Sequence, residues 1–531
     1  MCKTALFRTV ARIFSQSLQD EPIPSLLPMD RRESLKAFGL GTLALYLNAC
    51  QTPGEPVHSK IKPAKDPVVI IGAGAAGLSA AYYLQKAGVE SKVYEANERL
   101  GGRIFTQYGF NQDKMFCERG GELIDSGHKE IQSLTAELGL ELEKLPDPNL
   151  KPDVHFIEGR WRTDEDVIKA FEGLAKKIAQ DAQGFVINGE FTMPTYKNTI
   201  SDAIKTLDVT SLKDYLDSQR EIAEPWVREL IRVAYVGEYG LEAEEQSAVN
   251  LVSFIGTELA SGFKMFGESD ELFRIKGGNS TLISSLAKKL PNVAVKHELK
   301  SISRNVKGGF QLLFGVDGKV VEVKASTVIL SLPFTVLRTI AGIDRIGLSP
   351  RKLLAIKELG YGTNAKLMLG FKTRYWAEQG RGFPASDGNL LTDLRFQGGW
   401  DSSRRQEGKS GIFTNFMGGK WAETFPMSKV RSSLENLETV YPKILSQYDG
   451  NRVLQVWAAV PTARGSYICP KPGQYTTLVG CLSEPECEGS LLFAGEHTSE
   501  SSPGFMNGAV ESGMKAAAVY LEGTFQKQRE A

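Results

Sequence analysis

The chain has 531 residues, too many for a single hydrophobic core, so two domains plus tails are expected. Its 63 basic and 63 acidic residues cancel and no stretch is strongly basic, which excludes charge-driven nucleic-acid binding. Apolar residues make up 42%, as in an ordinary soluble globule, with no internal repeat and no low-complexity tract.

Near the N-terminus, Asp30-Arg31-Arg32-Glu33-Ser34-Leu35-Lys36 leads into an apolar run from Ala37 to Leu47 and then Asn48-Ala49-Cys50. A charged region, a short apolar region and small residues at a processing site describe an export signal. The paired arginines resemble a twin-arginine signal. Leu47-Asn48-Ala49-Cys50 resembles a bacterial lipobox, which would lipidate Cys50. The run is too short to span a bilayer comfortably; a plain N-terminal membrane anchor or a stray amphipathic helix is the alternative. Met29, just before the arginines, leaves the true start open. Residues 1–50 are read as signal and 51–66 as a linker, giving an exported protein, periplasmic or membrane-anchored through Cys50.

The folded part opens with a strand, Val68 to Ile71, that runs into Gly72-Ala73-Gly74-Ala75-Ala76-Gly77. A helix from Leu78 to Lys86 follows, then a stop at Gly88 and a second strand from Ser91 to Tyr94 that ends at Glu95. In this β-α-β order the glycines have separate jobs. Gly72 allows a tight turn, Gly74 lets a pyrophosphate approach the backbone, and Gly77 lets helix and strand pack closely. The helix N-terminus offers N–H donors to the diphosphate, and Glu95 stands where an acid bonds the ribose of an adenine dinucleotide.

The continuation, Glu95-Ala96-Asn97-Glu98-Arg99-Leu100-Gly101-Gly102-Arg103, resembles the signature of the flavin-containing amine oxidase family. The resemblance implies FAD, with Gly101 and Gly102 passing close to the flavin and Arg99 and Arg103 holding ribose and diphosphate. It also implies an α/β fold: a Rossmann-like, GR2-type FAD domain interleaved with an α+β substrate domain built on a mixed sheet. Further along, Ala243-Glu244-Glu245-Gln246-Ser247-Ala248 fits the family's helix start. Phe273 to Leu282 introduces a helix, then alternating strands at Val293–Ile302, a turn at Gly308-Gly309, and strands at Phe310–Phe314 and Val328–Leu332. In the family this segment returns to the cofactor, with a backbone group near Leu299 on the adenine.

Gly360 to Phe371 reads as a strand of alternating character, and Lys366 matches the family's active-site lysine, which contacts a water near the flavin; a lysine snorkelling from a strand edge is the other reading. Trp457 and Ala463 to Tyr467 resemble one side of the family's aromatic cage, with Phe505 facing Tyr467. Ser466 stands where some members carry the cysteine that bonds flavin, so non-covalent FAD is expected. Leu491 to His497, then Pro503 to Gly513, resemble the C-terminal motif. By that match Gly495 and Glu496 lie by the diphosphate and ribityl chain, and the Met506 N–H, at a helix N-terminus, faces flavin N1 and C2=O.

The expected boundaries are 67–140, 271–334 and 466–531 for the FAD domain, and 141–270 and 335–465 for the substrate domain. Cys481 and Cys487 could pair or stay buried thiols, and no cluster has zinc-like spacing, so no metal is expected. Amino-acid oxidases of the family clamp a carboxylate with an arginine where this chain has Leu123, which disfavours an amino-acid substrate. Glu122 beside it could meet a cation, cap a helix or lie at the surface. The expected activity is oxidation of a monoamine or polyamine by hydride transfer to flavin N5, with O2 reduced to H2O2; a homodimer is left open. The alternatives are an L-amino-acid oxidase, a desaturase or porphyrinogen-type oxidase, and a non-catalytic flavin-binding lipoprotein or electron carrier.

Overall fold

A computed structural model of the chain describes residues 66–198, 201–305 and 308–530, with side chains through Thr524. The export signal, Cys50 and the Met29 start lie outside the described residues. Among the described residues no helix is long and apolar enough to cross a membrane.

The first strand, Val68–Ile71, is buried at every position. An unbroken β-branched run of this kind belongs in a parallel sheet covered on both faces. That sheet has five strands, in the order Val293–Ala294, Ser91–Tyr94, Val68–Ile71, Val328–Leu330, Leu491–Phe493, all parallel. Three distant chain segments therefore meet in one sheet. On one face Val69, Ile71, Leu330 and Phe493 pack with Phe310, Leu312 and Phe314 of an antiparallel meander, Glu298–Arg304, Phe310–Val316 and Lys319–Ala325. Against this sheet the helix Ala75–Lys86 packs on the C-terminal helix Met506–Glu530. Close approach is possible because a Cβ on Gly513 would stand 2.3 Å from Ala76 O.

The second sheet has seven strands, ordered Tyr448–Val456, Ala365–Phe371, Gly411–Met417, Gly398–Asp401, Ser386–Thr392, Lys151–Ile157, Arg160–Arg162. It is mixed: Ser386–Thr392 pairs with Lys151–Ile157 in parallel and the other neighbours are antiparallel. Val154, Leu367, Leu369 and Phe413 join Trp376 and Tyr441 in one core. A separate core joins the helices Asp164–Ala182 and Pro225–Tyr239, the first started by a Thr163/Asp166 capping box.

One local expectation changes and two are settled. Residues 243–248 lead into the short helix Val249–Val252, with Ala248 at its N-cap and buried Gln246 donating to Tyr235 O and Leu241 O. Ala365–Phe371 does not alternate: all seven residues are buried, since both faces of this interior strand are covered. Cys481 and Cys487 are both free, and the Cys487 thiol donates to Ile346 O.

Candidate active site

One continuous cavity of about 1300 Å³ runs between the two sheets. Pockets for a single small molecule measure roughly 300–1000 Å³, so there is room for a cofactor and a substrate together.

The β-α-β unit builds one end. Gly72 has φ +104°, and a Cβ on Gly77 would stand 2.0 Å from Gly72 O, so neither position admits a side chain. A Cβ on Gly74 would meet nothing within 4 Å, because the space before it is cavity. Gly74 also starts the helix without a side-chain cap, which leaves first-turn N–H groups for an anion. Ala75, Ala76, Glu95 and Ala96 line the wall beside it. Glu95 accepts from Ala73 N at 2.9 Å and from Asn97 N.

Gly101 and Gly102 turn along the cavity in left-handed conformations, at φ +103° and +56°. The two arginines differ. Arg103 Nη1 donates to Glu496 Oε1 (2.9 Å) and Ser466 O (2.5 Å), tying the first chain segment to the last. Arg99 donates to Leu100 O, Gly102 O and Ile104 O and stacks on Phe105. Its N–H groups brace its own loop, the nearest carbonyls to a half-buried guanidinium, while the side chain lines the same cavity as Arg103. Leu299, Gly495 and Met506 line the same cavity. Glu496 Oε2 accepts from Gly504 N at 3.0 Å. Neighbouring His497 also lines it, buried and kept neutral by desolvation, with neither ring nitrogen bonded to protein.

Tyr467 and Phe505 both face the cavity, each anchored by a different neighbour. The Tyr467 O–H donates to Glu238 O, while the Phe505 ring packs on His128 with centroids 4.8 Å apart. Trp457 Nε1 donates to Arg119 O, and Ser466 Oγ donates to Asn364 Oδ1.

Lys366 lies inside its sheet, not at an edge. Its Nζ donates to Glu122 Oε2 (2.9 Å), Gly120 O (2.9 Å) and Glu118 O (3.4 Å), and lies 4.9 Å from the Trp400 ring centroid. Glu122 is therefore neither at the surface nor a helix cap: its side chain is 2% exposed, and the cation it meets is Lys366. Burial pushes the Glu122 carboxyl up, but Lys366, helped by Arg274 and Ser402, outweighs burial and holds it below the usual range. Glu118, without such a partner, is pushed by burial to about 7.

Sequence reasoning missed the far wall. Glu238, Glu271, Asp153 and Asp387 line it with Arg404 and His155. Desolvation pushes Glu238 to about 7 and Glu271 to about 8, and raises both aspartates. Glu271 also holds a left-handed φ of 45°. Arg404 Nε donates to Asp401 O, while Nη2 has no protein partner. The available signal was weak: charged residues within segments that must be buried.

The model of the flavin containing amine oxidoreductase family matches residues 75–521. The L-amino-acid oxidase of Vipera ammodytes ammodytes is 23% identical over 488 residues, covering 87% of this chain and 94% of that one. The solved structure of cyclohexylamine oxidase from Brevibacterium oxydans IH-35A has a TM-score of 0.72 at 21% identity, over 86% of this chain and 99% of that one. Putrescine oxidase bound to putrescine gives 0.71 at 21%, over 87% and 100%. With the family match running from Ala75, at the end of the glycine loop, through both sheets and the shared cavity, the chain belongs to the flavin-containing amine oxidoreductases and is an FAD-dependent enzyme.

Proposed function

We propose that the enzyme oxidises a cationic amine, a monoamine or polyamine, to an imine that hydrolyses to an aldehyde, with O2 reduced to H2O2. The carrying observation is that one cavity holds both the Tyr467 and Phe505 rings and the acids Glu238, Glu271, Asp153 and Asp387. Where ionised, the acids draw an ammonium ion from water. Carboxyls that titrate near neutrality also exchange protons with it readily, and a neutral amine is the form that can give up hydride.

The residues fit FAD. The space before Gly74, the uncapped helix start and the Arg103–Glu496 pair suit a diphosphate, Glu95 suits a ribose, and the unbonded His497 nitrogens sit in the same wall. When bound, FAD supplies the two-electron redox chemistry, accepting hydride and delivering electrons to O2. The chain supplies position and dryness: Tyr467, Phe505 and Trp457 present apolar faces that exclude water and orient the amine, and Lys366 holds a fixed charge arrangement in the wall.

Arg404 favours a second reading. Its unpartnered Nη2 could take a substrate carboxylate, which would make the substrate an amino acid despite Leu123. Anaerobic mixing of the holoenzyme with monoamines, polyamines and amino acids, followed by flavin bleaching, separates the two. Amines are expected to bleach at least about tenfold faster than amino acids, a difference of roughly 1.4 kcal/mol in barrier. The reverse order would establish the second reading, and no bleaching by any compound would end both. The twin-arginine pattern ahead of the fold supports a further part of the proposal, that the enzyme is exported folded with FAD aboard.

A further inference from the structure

We infer that Glu122 is a positioning residue for this oxidation: it locks the Lys366 side chain into the cavity wall as a charge-balanced ion pair. The inference rests on the amine-oxidase reading above. An ammonium has three N–H groups, and here two are held at 2.9 Å by Glu122 Oε2 and Gly120 O, while the third makes only the 3.4 Å contact with Glu118 O. Two short bonds thus fix the nitrogen, and the long one leaves an N–H that a water or reacting group can compete for. The Trp400 ring limits movement on another side, and its own Nε1 has no protein partner.

The lock has a second layer. Glu122 Oε1 accepts from Ser402 Oγ at 2.9 Å, and Ser402 Oγ lies 2.7 Å from Thr414 Oγ1. Ser402 O in turn accepts from Arg274 Nη1 at 3.0 Å. Arg274 is itself buried and paired with Glu143. Glu118 and Cys117 are also in electrostatic reach of the pair. Removing Glu122's charge would leave a buried ammonium unbalanced, and such a group sheds its proton at lower pH and loses its fixed position.

The test uses the FAD-loaded full chain as wild type, Glu122→Gln, Lys366→Met and the double variant. Two quantities are read: amine kinetics, and the oxidised flavin absorption spectrum from about pH 6 to about pH 10. Glu122→Gln should lower kcat by about 10- to 100-fold with KM changed less than about threefold. Its flavin spectrum should titrate within this range, while those of wild type and Lys366→Met stay flat. The double variant should match Lys366→Met alone, because the two residues act as a unit. Wild-type kcat in Glu122→Gln, or a double variant whose loss is the product of the two single losses, overturns the inference. If Glu122→Gln does not hold FAD, Glu122→Leu/Lys366→Met, which removes both charges together, decides: equality with Lys366→Met supports the pair and a further loss refutes it. If no amine bleaches wild-type flavin, the functional reading fails, while the spectral titration still tests the ion pair.

Discussion

A methyl group added at Gly77 would stand 2.0 Å from Gly72 O, whereas one added at Gly74 would project into open cavity. The two substitutions should therefore fail differently. Gly77→Ala should destabilise the protein itself, by about 1–3 kcal/mol, in calorimetry of the cofactor-free form. Gly74→Ala should leave that melting temperature unchanged and weaken FAD binding at least about tenfold by fluorescence titration; an equal loss of stability in both variants would contradict the assignment of the space before Gly74. Glu271 gives a prediction of another kind. Folded, its carboxyl keeps its proton up to about pH 8, against an ordinary value of 4.5 in the unfolded chain. The folded state thus binds more protons between those values, and its contribution to stability falls as pH rises through them. Glu271→Gln removes this loss, so the variant should melt above wild type at pH 8 to 9 and converge with it near pH 4 to 5. Parallel melting curves would show that the carboxyl does not titrate so high.

Among the elements, the two crossing helices give the sharpest mechanical test. Gly513 lies against Ala76 O, so Gly513→Val should push Met506–Glu530 off Ala75–Lys86. The expected cost is about 1–3 kcal/mol, with weaker FAD retention because the glycine loop sits at the end of the displaced helix. Elements like the first strand–loop–helix were legible in the sequence because their information is local: an apolar run, glycines at fixed offsets and an acid at the next strand's end. The strand bearing Lys366 was legible in place but not in character, because burial on both faces erases the period of two on which an alternating reading depends. The partnership of Lys366 with Glu122 could not be read, since nothing local to Arg119–Asp125 records what packs above it. The acid wall was hidden for the same reason: Asp153 and Asp387 become neighbours only through the parallel pairing of Lys151–Ile157 with Ser386–Thr392.

At the scale of the whole molecule, the family, cofactor and fold were readable because three motif-bearing segments converge on one sheet. The substrate was not, because its wall is drawn from strands and helices without a motif. The same construction makes stability depend on the cofactor. Saturating FAD at about 100 times its dissociation constant should add roughly 2.7 kcal/mol, seen as a higher melting temperature that depends on FAD concentration. The order of the five-stranded sheet also has a consequence for synthesis. The glycine loop leaves the ribosome well before the strand Leu491–Phe493, Glu496 and the helix from Met506 are made. Arg103 has no Glu496 to meet until that later segment has emerged. Tight FAD capture therefore waits for the closing segments, and a ribosome stalled before Leu491 would hold a chain that carries the whole dinucleotide motif yet cannot retain the dinucleotide.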